Sequence, residues 1–155
     1  MSRLIATFFY VGHMRPAPGT WGSFAALIVG WFIAVTLGAT ALLVASALAF
    51  GVGYWATQKY TFGKEDHDPS EVVIDEVVGQ WLALWPVAVV APVMSPVSLA
   101  LCTLAFALFR LFDIWKPGLV GWADRQDGAL GVMLDDVIAG VMAGLVMAVL
   151  VFGTL

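Results

Sequence analysis

The stretch Asp68-Pro69-Ser70-Glu71-Val72-Val73-Ile74-Asp75-Glu76-Val77-Val78-Gly79-Gln80-Trp81 decides how this chain is read. It climbs from the most polar loop of the sequence into an apolar run and carries four carboxylates on the way. Asp68, Pro69 and Glu71 have the pattern of a helix start, with an N-cap, a first-turn proline and a reciprocal capping-box acid. On that reading Asp75 and Glu76 lie two turns inside the helix, where capping does not account for them. Glu71 and Asp75, four residues apart, share a face. The bland alternative for Asp75 and Glu76 is a solvated surface pair. A carboxylate at the edge of an apolar segment otherwise needs a cation, a base or a proton, because desolvating an unpaired charge is costly.

The surroundings of this ramp read as membrane protein. The chain is 61% hydrophobic and 12% charged, against roughly 45–50% and 25% for soluble domains, and its mean hydropathy is +0.94. Residues 1–155 are read as a single domain. The N-terminus lacks a small-x-small cleavage pattern and is not expected to be a cleaved signal peptide. Leu4 to Val11 is too short to span and is expected to lie in the interface or pack on the bundle. The lone Cys102 excludes an internal disulfide and a Cys-rich metal site, and reads as core. Five apolar segments follow: Trp21 to Leu37, about Ala41 to Thr57, Val77 to about Val93, Ser98 to about Trp115, and Asp136 to Phe152. Each holds about 17 residues, roughly 26 Å of helix, near the short limit for crossing. The third contains Pro86 and Pro92, so a kink or early end is expected there. Thr20 is the expected N-cap of the first, and residues 117–134 the expected last loop. The fold class is all-α: a polytopic membrane helix bundle with four to five transmembrane helices.

Five spans put the N-terminus and loops 58–76 and 116–135 on one side. All seven basic and all eleven acidic residues fall there or at its boundary. The positive-inside rule makes that side cytoplasmic. The uncharged far side suits an enzyme or binding site at the cytoplasmic face better than a channel or pump. A net charge of −4 disfavours nucleic acid as a partner and suggests carboxylates neutralised by bound metal.

Three edges bring acids to one depth: Asp75 and Glu76, Asp113, and Asp135 and Asp136. Arg110, Asp113 and Lys116 follow at i, i+3, i+6. They read either as an intrahelical ion pair with a snorkelling lysine or as a metal carboxylate with two phosphate-binding cations. Asp135 has an N-cap as its bland reading. Asp136 shares a face with Gly140 and Gly144, a small-residue seam that aims it into the bundle. Asp124 reads as solvated. Hard oxygen donors without thiolate point to Mg²⁺ rather than zinc, and Mg²⁺ beside Arg and Lys points to a phosphate substrate. Other phosphate chemistries lack their motifs. Asp127-Gly128-Ala129-Leu130 departs from the CDP-alcohol phosphotransferase pattern. Asp66-His67-Asp68 lacks the haloacid-dehalogenase context, His13 and His67 lack that of a histidine nucleophile, and there is no phosphate loop.

Four ordered blocks carry a resemblance: Pro18-Gly19-Thr20-Trp21-Gly22-Ser23, Val73 to Gln80, Phe109 to Pro117, and Gly131 to Gly140. Together they resemble the phosphatidylglycerophosphatase A family over about residues 6–145. The resemblance implies an integral inner-membrane enzyme that removes the terminal phosphate of phosphatidylglycerophosphate with Mg²⁺, giving phosphatidylglycerol. One departure stands out: Phe8-Phe9-Tyr10-Val11-Gly12-His13 occupies the place of a glycine-rich run.

On this reading Mg²⁺ is held by Asp75, Glu76, Asp113 and Asp136, with Asp135 beside them. Arg110, Lys116 and Arg125 are candidate phosphate contacts, and Thr20 and Ser23 candidate hydrogen-bond donors near a helix N-terminus. A metal-activated water is the expected nucleophile, with aspartate attack as runner-up. Trp21, Trp81, Trp115 and Trp122 read as interfacial anchors. The rival readings are a phosphatase for another lipid phosphate, such as phosphatidate, and a non-enzymatic cation-binding membrane protein.

Overall fold

The computed structural model describes residues 1–64, 69–91 and 93–153, and among these it holds helices and connecting turns, with no strand. The helices are α1 (Ser2–Ala6), α2 (Pro18–Leu37), α3 (Ala39–Thr61), α4 (Ile74–Val90), α5 (Pro96–Trp115), α6 (Leu119–Asp124) and α7 (Ala129–Phe152), with a 3₁₀ turn at Val11–His13. Four of them, α2, α3, α5 and α7, are long and apolar enough to cross a membrane, at 20, 23, 20 and 24 residues. They exceed the expected length because α2, α3 and α7 continue past their apolar runs into the charged end, while α5 starts earlier, at Pro96.

The third apolar segment plays a different part. α4 has 17 residues, 12 of them buried, and it packs against α2, α3, α5 and α7. The surrounding helices turn large apolar side chains outward, among them Phe32, Leu48 and Val149, as lipid-facing surfaces do. α4 continues past Pro86 to Val90. Pro92 lies outside the described residues.

The starts of α4 and α7 differ from expectation in opposite directions. α4 begins at Ile74, with Val73 as its N-cap and no capping side chain, so Asp75 and Glu76 stand in its first turn rather than two turns in. The cause is tertiary. Val73 donates its N–H to the Ala6 carbonyl at 2.9 Å, Val72 and Val73 are buried, and Gly22 of α2 packs on the Val73 side chain. Residues 69–73 are thereby held out of the helix. Glu71 is not a capping acid but accepts from the Tyr60 hydroxyl at 2.9 Å; Asp68 lies outside the described residues. Conversely α7 begins at Ala129, after Gly128 at φ +81°. Asp135 and Asp136 are therefore two turns inside a helix, and Asp135 is not an N-cap. The expected loop 117–134 also contains α6, which packs on α7.

The charged segments α1 and Val11–His13 dock on the same end. Phe8, Phe9 and Tyr10 all take left-handed backbone (φ 42°, 55° and 69°), the region glycine enters freely. This chain makes the tight turn with aromatic residues where a glycine-rich run would be expected. Thr7 holds it, its hydroxyl donating to the Arg3 carbonyl at 2.9 Å and accepting the Tyr10 N–H at 3.1 Å. The turn seats Gly12 directly on the Glu71 carbonyl. At the far end Ser95 caps α5 in a reciprocal box with Ser98, and Pro96 takes the first helical position, where its missing N–H costs nothing.

α4 and α7 touch backbone to backbone. A Cβ on Gly140 would lie 2.7 Å from the Gly79 Cα, closer than real contacts allow. Gly144 sits over the Leu82 carbonyl one turn further on. Gly140→Ala is expected to force the two helices apart and cost about 1–3 kcal/mol, the usual range for overpacking. Thermal unfolding of the detergent-purified protein checks this; an unchanged midpoint would show that the seam is not needed for packing.

Candidate functional site

The charged end encloses a cavity of about 360 Å³, whose lining includes Gly19, Thr20, Asp75, Glu76, Arg110, Asp113, Lys116, Asp135 and Asp136. α4 and α7 both run from this end into the bundle, so their carboxylates enter from one side. α5 arrives in the opposite direction and brings its last turn, with Arg110 and Asp113.

Asp75, Glu76 and Asp136 form the centre. One carboxylate oxygen from each lies within 4.8 Å of the others. Asp75 and Asp136 are buried. Asp75 accepts the Glu76 N–H at 3.0 Å, and Asp135 accepts the Asp136 N–H at 2.9 Å, which fixes each neighbouring pair. Glu76 Oε2 is buried with no hydrogen-bond partner among the described residues. Buried polar atoms are nearly always satisfied, and an orphaned carboxylate oxygen beside two further buried acids could hold a cation.

The cations form the facing wall. Arg110 pairs with Asp113 at 2.5 Å and its Nη1 donates to the Ser23 hydroxyl at 3.3 Å. The i, i+3 spacing made that pair legible. Lys116 caps α5 in left-handed conformation and bridges Asp124 and Asp135, the latter at 3.0 Å. Partial burial alone would favour the neutral amine. The hydrogen bonds and charges of Asp124 and Asp135 outweigh it and hold the Lys116 pKa above its ordinary value. At the outer edge Glu71 is similarly balanced. Burial would raise its pKa, but the Tyr60 hydrogen bond, a backbone N–H, and the Lys64 and His13 charges outweigh that and lower it.

Not every candidate enters the cavity. Thr20 lines it, but as the third residue of α2, whose N-cap is Ala17 with Pro18 following. Ser23 is fully buried, donates to the Gly19 carbonyl at 2.8 Å and meets Arg110, so it positions that cation. Arg125 is exposed beyond α6, outside the cavity lining. Trp81 is not an interfacial anchor: it is buried and its indole donates to the Ala26 carbonyl at 2.8 Å, pinning α4 to α2. Cys102 is buried, as its apolar context suggested. His67 lies outside the described residues; His13 meets Arg3 at 2.9 Å.

Two participants escape sequence reasoning. Asp124, read as solvated, is a partner of Lys116. Gly19 brings the first turn of α2 against the site. A Cβ there would collide with Glu76 Oε1 and lie 3.3 Å from Arg110 Nη1. Its place after a first-turn proline was the available signal.

Comparison with known proteins follows the same residues. The phosphatidylglycerophosphatase A family model matches residues 4–151. A Haemophilus influenzae phosphatidylglycerophosphatase A is 38% identical over 92% of this chain and 84% of its own length. The Escherichia coli protein of that name is 30% identical over 90% and 77%. A Bacteroides thetaiotaomicron protein, provisionally named a phosphatidylinositol-3-phosphatase, is 39% identical over 94% and 91%. No solved structure matches the chain significantly.

Gly19→Ala is expected to lower phosphatase activity at least tenfold, since displacing Glu76 or Arg110 by even about 1 Å is costly to a positioned site. Thermal stability should change little by comparison. Wild-type activity in this variant would show that the close approach of α2 is not required.

Proposed function

Because this chain belongs to the phosphatidylglycerophosphatase A family, a family of phosphatases, we propose that it hydrolyses the terminal phosphomonoester of phosphatidylglycerophosphate to phosphatidylglycerol, with Mg²⁺, at the cytoplasmic face of a bacterial inner membrane. The observation that carries the metal is the charge of the cavity. Five carboxylates (Asp75, Glu76, Asp113, Asp135, Asp136) face two cations, Arg110 and Lys116. A phosphomonoester dianion entering such a cavity would meet net negative charge, and desolvation would strengthen the repulsion. Divalent cations reverse that sign, and an all-oxygen donor set suits Mg²⁺.

Asp75, Glu76 and Asp136 would hold the ion, with Asp113 beside them. When bound it supplies Lewis-acid polarisation of the phosphoryl group. The protein's own groups do the rest. Arg110, braced by Asp113 and Ser23, and Lys116, braced by Asp124 and Asp135, bind phosphate oxygens and orient the phosphoryl group. The first turn of α2 offers the unpaired N–H groups of a helix start to the same anion. Water attacks phosphorus, the ester P–O bond breaks, and the freed glycerol oxygen takes a proton while a buried carboxylate accepts the one that water loses. The cavity lies at the charged end of the bundle, the depth at which a lipid headgroup would meet it with its acyl chains still in the bilayer.

A second reading concerns only the headgroup. The relative named for phosphatidylinositol 3-phosphate is as similar to this chain as the phosphatidylglycerophosphatases. Both substrates are phosphomonoesters on a lipid, as phosphatidate is. Family membership removes the non-enzymatic cation-binding alternative.

Phosphate release from detergent-solubilised phosphatidylglycerophosphate tests the proposal. Chelator is expected to abolish release and Mg²⁺ to restore it. Asp75→Asn, Glu76→Gln, Asp113→Asn and Asp136→Asn are each expected to lose about 100-fold or more while remaining folded. Turnover insensitive to chelator would overturn the metal assignment. Faster turnover of phosphatidylinositol 3-phosphate or phosphatidate in a substrate panel would reassign the headgroup.

A further inference from the structure

Below the cavity the seam between α2 and α5 opens again as an apolar groove of about 290 Å³, lined by Phe24, Leu27, Ile28, Trp31, Leu99 and Cys102 among others. Its walls are continuations of the cavity walls. On α2, Thr20 lines the cavity, and Phe24, Leu27, Ile28 and Trp31 follow at i+4, i+7, i+8 and i+11, a single helical stripe. On α5, Asp113 and Arg110 line the cavity, and Phe106, Cys102 and Leu99 follow on the same stripe deeper in. Phe24 and Phe106 meet edge to face at 6.4 Å between ring centres, one turn below Thr20 and Arg110. They form a threshold between the polar chamber and the apolar groove.

Building on the lipid-phosphatase reading, we propose that this α2–α5 groove holds an acyl chain of the substrate lipid, threaded past the Phe24–Phe106 pair while the phosphate sits in the cavity. Depth supports that occupant. From Thr20 to Trp31 the stripe descends about 16 Å at 1.5 Å per residue, which is half of a hydrocarbon core of roughly 30 Å. On its α5 side the groove continues past Leu99 to Ser98 and Met94 at the far end, so it opens one turn below the cavity and reaches past mid-bilayer, which leaves room for a long acyl chain. A second apolar groove, between α3 and α7 along Leu43, Leu82 and Val137, lacks this continuity. Near the charged end its α7 wall is Leu134 and Val137, a different stripe from the cavity-lining Asp136, and it meets Gly144 only two turns deeper.

The inference makes chain length a specificity determinant set by α2 and α5. Ile28 and Leu99 are 57% and 64% exposed, so a larger side chain at either can fill the groove without entering the core. With Mg²⁺ present, Ile28→Trp and Leu99→Trp are expected to lower kcat/KM for the dipalmitoyl lipid roughly tenfold relative to the dibutyryl lipid, mainly through KM. Leu43→Trp, which adds the same bulk to the α3–α7 groove, should leave that ratio unchanged. The milder Ile28→Phe and Leu99→Phe, with elution profiles, repeat the measurement should a tryptophan variant fail to fold. Equal loss on both lipids in folded variants, no loss on either, or the same chain-length effect in Leu43→Trp would overturn the groove while leaving the phosphatase reading intact. A wild-type protein that turns over neither lipid would overturn the phosphatase reading and this one with it.

Discussion

The site depends on the contact between Gly79 and Gly140. α4 and α7 run in the same direction from the charged end, and they meet where neither has a side chain. Asp75 stands four residues before Gly79, and Asp136 four residues before Gly140. Equal offsets on parallel helices bring the two carboxylates to one level, one turn above the crossing. Glu76 follows because it is the next residue. Any side chain at the crossing would separate the helices, and the distance between the acids would grow with it.

Burial gives that contact its electrostatic consequence. Enclosed by four helices, α4 places charged groups where solvent does not screen them, and Asp75 and Asp136 cannot remain there together without compensation. α5 answers from the opposite direction with Arg110 and Lys116. Each of these is already engaged, Arg110 by Asp113 and Ser23, Lys116 by Asp124 and Asp135. In the proposed function a cation would take up the surplus of carboxylate, and a phosphomonoester would complete the balance of charge. Compensation would then divide between a cation at the α4 and α7 acids and the side chains held by α5.

Much of this was legible because periodicity and charge placement are local properties. The apolar runs required helices, the Arg110–Asp113 spacing required a shared face, and the Asp136–Gly140–Gly144 stripe required a packed seam. What escaped were features that another segment imposes. The Ala6 carbonyl and the α2 surface hold Val72 and Val73 extended, so the capping pattern beginning at Asp68 does not start α4. Trp81 has the composition of an interfacial residue, yet Gly30 of α2 opens space for its indole inside the bundle. Arg125 was read as a phosphate contact and Asp124 as solvated, yet α6 leaves the first outside the cavity and sets the second on Lys116.

By itself the sequence determined the class of the protein: an all-helical membrane bundle with every charge at one end, acids in three segments and two cations spaced for one helix face. Hydropathy and helical period suffice for that, since each acts within a segment. Only the tertiary structure decided which acids meet, where α4 and α7 begin, and that the third apolar segment is the buried core rather than another lipid-facing span. Those outcomes depend on how closely two backbones approach and on which hydrogen bonds cross between segments. A chain read in order does not contain such distances.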